Sequence, residues 1–387
     1  MTRVLEVIYG FGYGGIRTFI MNYLKYLDKD KFKVDIYAFG FDSSPFTEQV
    51  EKMGANIYFE SENNAHGRPL KFVWQLKKFM NEHGPYDVVH ANTNLISAWV
   101  LLAAKISKVP VRLAHSHSTD HFGSSLPRMA YSYLRRGLID WLSTGKLACG
   151  QLAGVAMYGR NASFEVVSNG IDTGRFMKRN EKRVEELRHE LNIPDGVKVY
   201  ANVTRMDPQK NHLFAIDVFR EIHKLEPDSI FIYGGMTPMI SPTVDAVRDK
   251  IEEYGLADFC RYSGPIMDVE HLYQMTDLWI YCSAYEGLPF GPIELQAASV
   301  PVIASDVITK EIDLGLGLVY FLSLDDAPEK WAELAVKTQK KQLPTDLIVK
   351  KFREHNFDIR QGVRRLEEIY SDSNRDEVNR DNNNPQD

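Results

Sequence analysis

Short apolar runs alternate along the chain with stretches in which apolar residues return every three or four positions. Val4-Leu5-Glu6-Val7-Ile8-Tyr9 reads as a buried strand, Ile16 to Leu27 as an amphipathic helix, and Lys33 to Phe39 as a second strand. Further strands are expected at Asn56–Phe59, Val88–His90, Val111–His115, Lys146–Cys149 and Glu165–Val167. The second half repeats the pattern, with strands at Val197–Val203, Ile230–Tyr233, Cys260–Tyr262, Leu278–Tyr281 and Val302–Ala304. Helices lie between them, among them His212–Lys224 and Thr243–Tyr254. Continuous apolar strands alternating with helical segments predict α/β architecture with doubly wound parallel sheets.

A chain of 387 residues exceeds what one hydrophobic core usually holds, so two Rossmann-like domains are expected. The expected boundaries are 1–168 for the first domain and 169–353 for the second. The polar stretch Asp172–Arg188 lies near the handover. Phe357 to Tyr370 reads as a final helix, and 354–370 is expected to cross back to the first domain. The tail 371–387 has no apolar face and is expected to be disordered. Two such domains are expected to face a central cleft between their strand carboxyl ends, where folds of this kind bind ligands.

Composition narrows the function. The net charge of −6 argues against a nucleic-acid partner. The three cysteines, Cys149, Cys260 and Cys282, are far apart and form no CxxC pair, which fits buried thiols in a reducing compartment. The start MTRVLEVIYG reads as a strand entry rather than a signal peptide, and no apolar run is long enough to span a bilayer. A cytoplasmic protein is therefore expected. The sequons at Asn161 and Asn202 then read as chance.

Four segments carry candidate chemistry. Gly10-Phe11-Gly12-Tyr13-Gly14-Gly15 sits between a strand and a helix and matches G-x-G-x-x-G. It could hold a dinucleotide, wall a phosphate or a sugar, or simply make a tight turn. A dinucleotide site wants an acid at the end of the second strand, whereas Asp35 lies within that strand and Asp42 comes late. In Asn202–Asn211, Arg205 and Lys210 leave a strand's carboxyl end together, so they could neutralise a diphosphate or be a solvated loop. Ser283-Ala284-Tyr285-Glu286-Gly287-Leu288-Pro289-Phe290-Gly291-Pro292-Ile293-Glu294 spaces two carboxylates across a Gly-Pro loop and a helix start. A carboxylate cannot serve phosphate, so each Glu is expected to bind hydroxyls of a sugar or a ribose, the alternative for Glu294 being that it only complements the helix N-terminus. His115-Ser116-His117 follows a strand, and its two imidazoles are either structural or catalytic. No third ligand stands at a standard metal spacing, so no metal is expected. Asp28-Lys29-Asp30 reads as a polar turn.

With these residues in view, the chain from Val4 to about Tyr370 resembles the retaining GT-B glycosyltransferases of family 4. The marks are Gly14-Gly15, Asn169-Gly170-Ile171-Asp172, Arg205 with Lys210-Asn211, the E-x7-E pair Glu286 and Glu294, and Pro301–Ser305. Glu286-Gly287-Leu288-Pro289 and the segment around Thr309-Lys310-Glu311 resemble the branch that builds bacterial exopolysaccharide or capsule.

The resemblance implies transfer of a hexose from a nucleotide sugar, with UDP as the expected nucleotide, to a saccharide acceptor carried on a lipid. It implies no cofactor and no metal. Arg205, Lys210, Gly14 and Gly15 would hold the donor diphosphate. Glu286, Gly287, Leu288, Pro289, Phe290 and Gly291 would hold the donor sugar, Glu294 the ribose, and Ile266 would touch the base. His117 and Glu286 would stand at the reacting centre. The family loop often reads E-G-F-G, whereas here Leu288-Pro289 intervene before Gly291. Two competing readings are a nicotinamide-dependent oxidoreductase using Gly10–Gly15 and a nucleotide-sugar sensor without turnover.

One stretch suggests a surface partner. On a helix over Pro127–Leu142, Tyr131, Leu134, Leu138, Trp141 and Leu142 would share a broad face beside Arg128, Arg135 and Arg136. That face either anchors the protein on an anionic inner-membrane surface or packs into its own domain.

Overall fold

The computed structural model describes residues 1–12, 15–62, 64–118, 126–235, 242–266 and 268–372. Gly14 and the tail from 373 on lie outside the described residues. The chain divides into two units, one of residues 1–170 with the segment from Asn356, the other Ile171–His355.

The first unit is built on a seven-stranded sheet. In chain order its strands are β1 (Thr2–Tyr9), β2 (Phe32–Phe39), β3 (Asn56–Glu60), β4 (Val88–Asn92), β5 (Val111–Ser116), β6 (Gly145–Ala148) and β7 (Glu165–Val166). They lie in the order β3-β2-β1-β4-β5-β6-β7, all parallel. The second unit has β8 (Lys198–Val203), β9 (Ser229–Gly234), β10 (Cys260–Tyr262), β11 (Leu278–Tyr281), β12 (Val302–Ser305) and β13 (Val319–Leu322). Their order is β10-β9-β8-β11-β12-β13, again all parallel. Each unit is thus a Rossmann-like doubly wound sheet.

The strands are predominantly apolar because helices cover both faces. In β1, Val4, Leu5, Val7 and Ile8 are buried. Leu5 and Val7 pack with Phe72 and Leu76 of the helix Pro69–His83. The opposite face carries Glu6 and receives the helix Gly15–Tyr26 and the final helix Ile359–Ser371. In the second unit Phe219 of the helix His212–Leu225 stacks on Phe231 of β9, with centroids 5.0 Å apart. Truncating such a buried ring costs about 3–5 kcal/mol.

Two features escape the apolar pattern. β13 is an edge strand, half-buried along its length, just after Gly315-Leu316-Gly317. Asp172–Arg188, polar in sequence, holds the helices Thr173–Met177 and Glu181–Glu190. The second buries only Val184 and Leu187 and is started by Asn180, whose side chain accepts from the Arg183 amide. Asp28–Asp30 is the expected turn, with Asp28 Oδ1 accepting from the Asp30 amide.

The stretch expected to offer one broad apolar face forms the helix Leu126–Leu142, which runs through Gly137. That face divides. Leu142 and Ile139 are buried, and Tyr131 and Leu138 pack on the core. Leu134 and Trp141 are exposed, with Leu126, Met129 and Tyr133. Among the described residues no helix is long and apolar enough to cross a membrane. Cys149, Cys260 and Cys282 are buried and unbridged.

Candidate functional site

In the second unit, β8 and β11 are neighbours on either side of the point where the strand order reverses. Connections leaving two such strands diverge to opposite faces and open a crevice at the carboxyl edge. The loop after β8 carries Arg205 and Lys210, and the loop after β11 carries Glu286. The Ala284 amide donates to the Gln209 carbonyl at 2.8 Å, which ties the two loops together. Close approach also shapes the neighbouring loop. Gly235 has φ +123°, and a Cβ there would lie 2.3 Å from the Thr204 carbonyl oxygen.

Lys210 and Glu286 meet between these two loops. Asp207 turns the chain by accepting from the Lys210 amide at 3.2 Å, and Asn211 takes a left-handed conformation before the helix His212–Leu225. The Lys210 ammonium then donates to Glu286 Oε1 in an ion pair whose side chains are about one-tenth exposed. Tyr281 donates to the same oxygen at 3.0 Å. Gln209 donates to Glu286 Oε2 at 3.3 Å and to the Tyr285 carbonyl at 2.8 Å. A carboxylate so held keeps acceptor capacity for hydroxyls, and the ammonium keeps donors for an anion. Arg205 is more than half exposed and reaches Asp207 at 3.3 Å, a contact that stabilises little in water.

The second carboxylate has its own tyrosine. The helix Phe290–Ala297 begins after Pro289 and contains Gly291, Pro292 and Glu294. Tyr273 donates to Glu294 Oε2 at 3.1 Å. Burial and the adjacent carboxylate push the Tyr273 phenol far up, so it stays a donor. Leu288 is buried, and Gly287 and Ile266 are partly exposed. A Cβ on Gly291 would stand 3.5 Å from the Tyr281 ring and 4.0 Å from the Tyr273 hydroxyl, so this glycine sits beside both carboxylate-holding tyrosines.

His212 supports the loop from below. Its Nε2 lies 3.3 Å from the Arg205 carbonyl and 3.1 Å from Thr204 Oγ1, and Thr204 in turn donates to buried Asn202. The carbonyl only accepts, so Nε2 carries the proton. Nδ1 is buried with no partner among the described residues. Protonation would bury both a charge and an unpaired donor, and burial lowers the pKa to about 4.

In the first unit the sequence expectation reached His115 and His117 but missed their companions. Register sets Glu6 of β1 opposite His90 of β4, and Asn92 lies two residues on, hence on the same face. His90 Nε2 is 3.0 Å from His115 Nδ1, and the His115 ring stacks on His117 with centroids 4.0 Å apart. Asn92 Nδ2 donates to Glu6 Oε2 at 2.6 Å, and Asn92 Oδ1 lies 2.8 Å from His117 Nε2. Tyr370 of the final helix donates to Glu6 Oε1 at 2.7 Å and lies 2.8 Å from His90 Nδ1. Burial pushes His115 well below the usual imidazole range and His117 to about 3, so both rings are neutral. The signal was present in Val88-Val89-His90-Ala91-Asn92, where polar residues alternate in an otherwise apolar strand.

Gly15 opens the helix Gly15–Tyr26, while Gly14 lies outside the described residues. The acid that a dinucleotide would need is committed elsewhere. Asp35 is buried and accepts from Arg3 at 3.0 Å, Asn56 at 2.7 Å and Tyr86 at 2.9 Å. Among the described residues no group of His, Cys, Asp and Glu is placed to hold a metal ion.

The chain is similar to known proteins in sequence and fold. Residues 13–175 match the family described as Glycosyltransferase Family 4, and residues 183–311 match Glycosyl transferases group 1. The chain is 28% identical to a Bacillus subtilis (strain 168) protein named glycosyltransferase EpsF, over 98% of each chain. It is 21% identical, over 76% of each chain, to the Escherichia coli UDP-Gal:alpha-D-GlcNAc-diphosphoundecaprenol alpha-1,3-galactosyltransferase. The structure of Anabaena Alr3699/HepE with UDP and glucose superposes with a TM-score of 0.78 at 17% identity, covering 96% of this chain and 100% of that one. At such identity the likeness speaks for the fold.

The buried imidazoles predict a pH dependence of stability. His212 titrates near 4 in the native chain against an ordinary 6.5. Between those values the unfolded chain binds a proton that the native chain refuses. The contribution is therefore intact above about pH 6.5 and is lost as pH falls toward 4, by roughly 3 kcal/mol. Chemical denaturation from pH 7.5 to 4.5 should show His212→Gln flattening this slope. An identical slope in the variant would rule out a buried neutral imidazole at this position.

Proposed function

Since the chain belongs to the GT-B glycosyltransferases of family 4, we propose that it transfers a hexose from a UDP-sugar, with retention, to a lipid-linked saccharide during exopolysaccharide or capsule synthesis. The observation that carries this reading is the half-buried Lys210–Glu286 pair at the carboxyl edge of β8 and β11. A cation and a hydroxyl acceptor side by side suit the junction of a sugar and its diphosphate. As the bond from C1 to the phosphate oxygen breaks, the leaving diphosphate gains charge, and Arg205 and Lys210 stabilise it there. Glu286 and the loop Gly287–Gly291 position the sugar hydroxyls, Glu294 takes the ribose, and Ile266 borders the base. In the first unit His117 meets a sugar hydroxyl. No metal takes part.

The donor and acceptor classes are supported by the E. coli relative, named for UDP-Gal and a diphosphoundecaprenol-linked sugar, and by the HepE structure with UDP and glucose. The pathway is supported by the relative named EpsF. A nicotinamide cofactor fits poorly, because Asp35 has its carboxylate oxygens engaged within the sheet.

A lipid-linked acceptor calls for contact with a membrane surface. The helix Leu126–Leu142 exposes Leu126 (82%), Trp141 (65%), Tyr133 (56%) and Leu134 (56%). The Lys105 ammonium stands 4.2 Å from the Trp141 ring centroid. Arg136 is engaged by the Met157 and Ala156 carbonyls at 2.9 and 3.0 Å, so it holds the fold together rather than reaching outward. The anchor is proposed to be this exposed apolar edge with Arg128 and Lys105, lying on anionic lipid.

Two measurements follow. Release of nucleoside diphosphate from a panel of nucleotide sugars should be greatest with a UDP-hexose. Arg205→Ala and Lys210→Ala should each lower turnover by about 10²–10³-fold while the protein stays folded. Full activity in both variants would show that the diphosphate is held elsewhere. Separately, the protein should co-sediment with anionic vesicles at low salt and less with neutral ones. Leu134→Ser with Trp141→Ser should abolish this. Wild-type protein that stays in the supernatant with anionic vesicles would remove the membrane from the proposal and leave the transferase intact.

A further inference from the structure

A row of buried polar groups in the first unit ends at His117, and each link dictates the orientation of the next. A carboxylate only accepts, so Glu6 receives the Tyr370 hydroxyl on Oε1 at 2.7 Å and the Asn92 amide on Oε2 at 2.6 Å. Asn92 must therefore turn its NH2 toward Glu6, which leaves Oδ1 toward His117. An amide oxygen also only accepts, so His117 Nε2, 2.8 Å away, carries the proton. Asn94 Oδ1 accepts from the His117 main-chain amide at 2.9 Å. The imidazole stacks on His115, and Phe19 meets it edge-on at 5.3 Å, so the ring has little freedom to turn. Burial keeps it neutral. One proton on a neutral ring, fixed to Nε2, leaves Nδ1 as an acceptor.

We propose that Glu6 and Asn92 are positioning residues that lock His117 in its Nε2–H tautomer, so that Nδ1 accepts a hydrogen bond from a sugar hydroxyl. The proposal rests on the reading above that His117 meets such a hydroxyl. Glu6 does not approach the substrate. It orients Asn92, and Asn92 selects the tautomer. Tyr370 occupies one Glu6 oxygen and leaves the other to Asn92, so the final helix contributes a donor to the same chain.

The test is nitrogen NMR on the whole protein with 15N-labelled histidine, the His117 signals being assigned by their loss in His117→Gln. Wild-type protein should show a protonated Nε2 and an unprotonated Nδ1. Asn92→Leu, of similar branching but larger and without the acceptor, should give mixed tautomers. Its kcat should fall about tenfold or more with the donor KM unchanged. Asn92→Asp retains an acceptor toward Nε2–H and should keep the tautomer. A wild-type proton on Nδ1, or an unchanged tautomer in Asn92→Leu, would overturn the proposal. If Asn92→Leu does not fold, the wild-type spectrum and Asn92→Asp decide it. Full transfer by His117→Gln would instead overturn the reading that His117 meets a hydroxyl, and with it the use assigned to the tautomer.

Discussion

Both sheets place their first strand in the interior, so the chain must wind outward in two directions from it. Crossovers between parallel strands are right-handed, and connections on the two sides therefore cover opposite faces. A crevice between the diverging loops is the unavoidable result. In the second unit it lies between β8 and β11, and among the described residues the polar contacts to Glu286 come from those strands or the loops after them. Lys210 and Gln209 follow β8, and Tyr281 ends β11. The ion pair between these loops is costly in isolation, since two charges leave water. Tyr281 and Gln209 offset part of that cost by hydrogen bonding the carboxylate. An incoming anion would share the ammonium with Glu286, which gives the site a way to couple phosphate binding to the release of a hydroxyl acceptor.

The first unit has the same architecture but gathers different groups. Its switch point lies between β1 and β4, and there the side chains are Glu6, His90 and Asn92. The groups are held by hydrogen bonds in fixed directions, and the rings of His115 and His117 are neutral. Such a network is suited to aligning neutral hydroxyls, whereas the second unit gathers full charges suited to a diphosphate. Each chemistry follows from which residues the register brings to one face.

How much of this could be read from the chain depended on the range of the interaction. Strands such as β1 and β11 were legible because helices on both faces demand predominantly apolar runs. β13 was not, since a half-buried edge strand resembles a loop, and the helix Glu181–Glu190 has too few apolar residues to show a period. Glu286 and Glu294 announced themselves through spacing along one loop and helix. Their tyrosine partners did not. Tyr273 is 21 positions from Glu294 and meets it only through helix packing. Glu6 and Asn92, 86 positions apart, required the sheet register. The helix Leu126–Leu142 shows a further limit, because an apolar face broader than the core it covers does not reveal which edge is left outside. Packing chose Ile139 and Leu142 for the interior and left Trp141 exposed.

The central claim is that Lys210 and Arg205 read a second phosphate. Calorimetric titration of UDP against UMP tests it without turnover or acceptor. A charge-assisted hydrogen bond contributes about 1.5–3 kcal/mol, so UDP should bind at least about tenfold more tightly than UMP. That preference should collapse in Lys210→Ala. Equal affinities for UDP and UMP in the wild-type protein, or an undiminished preference in Lys210→Ala, would contradict the assignment of this crevice to a nucleoside diphosphate.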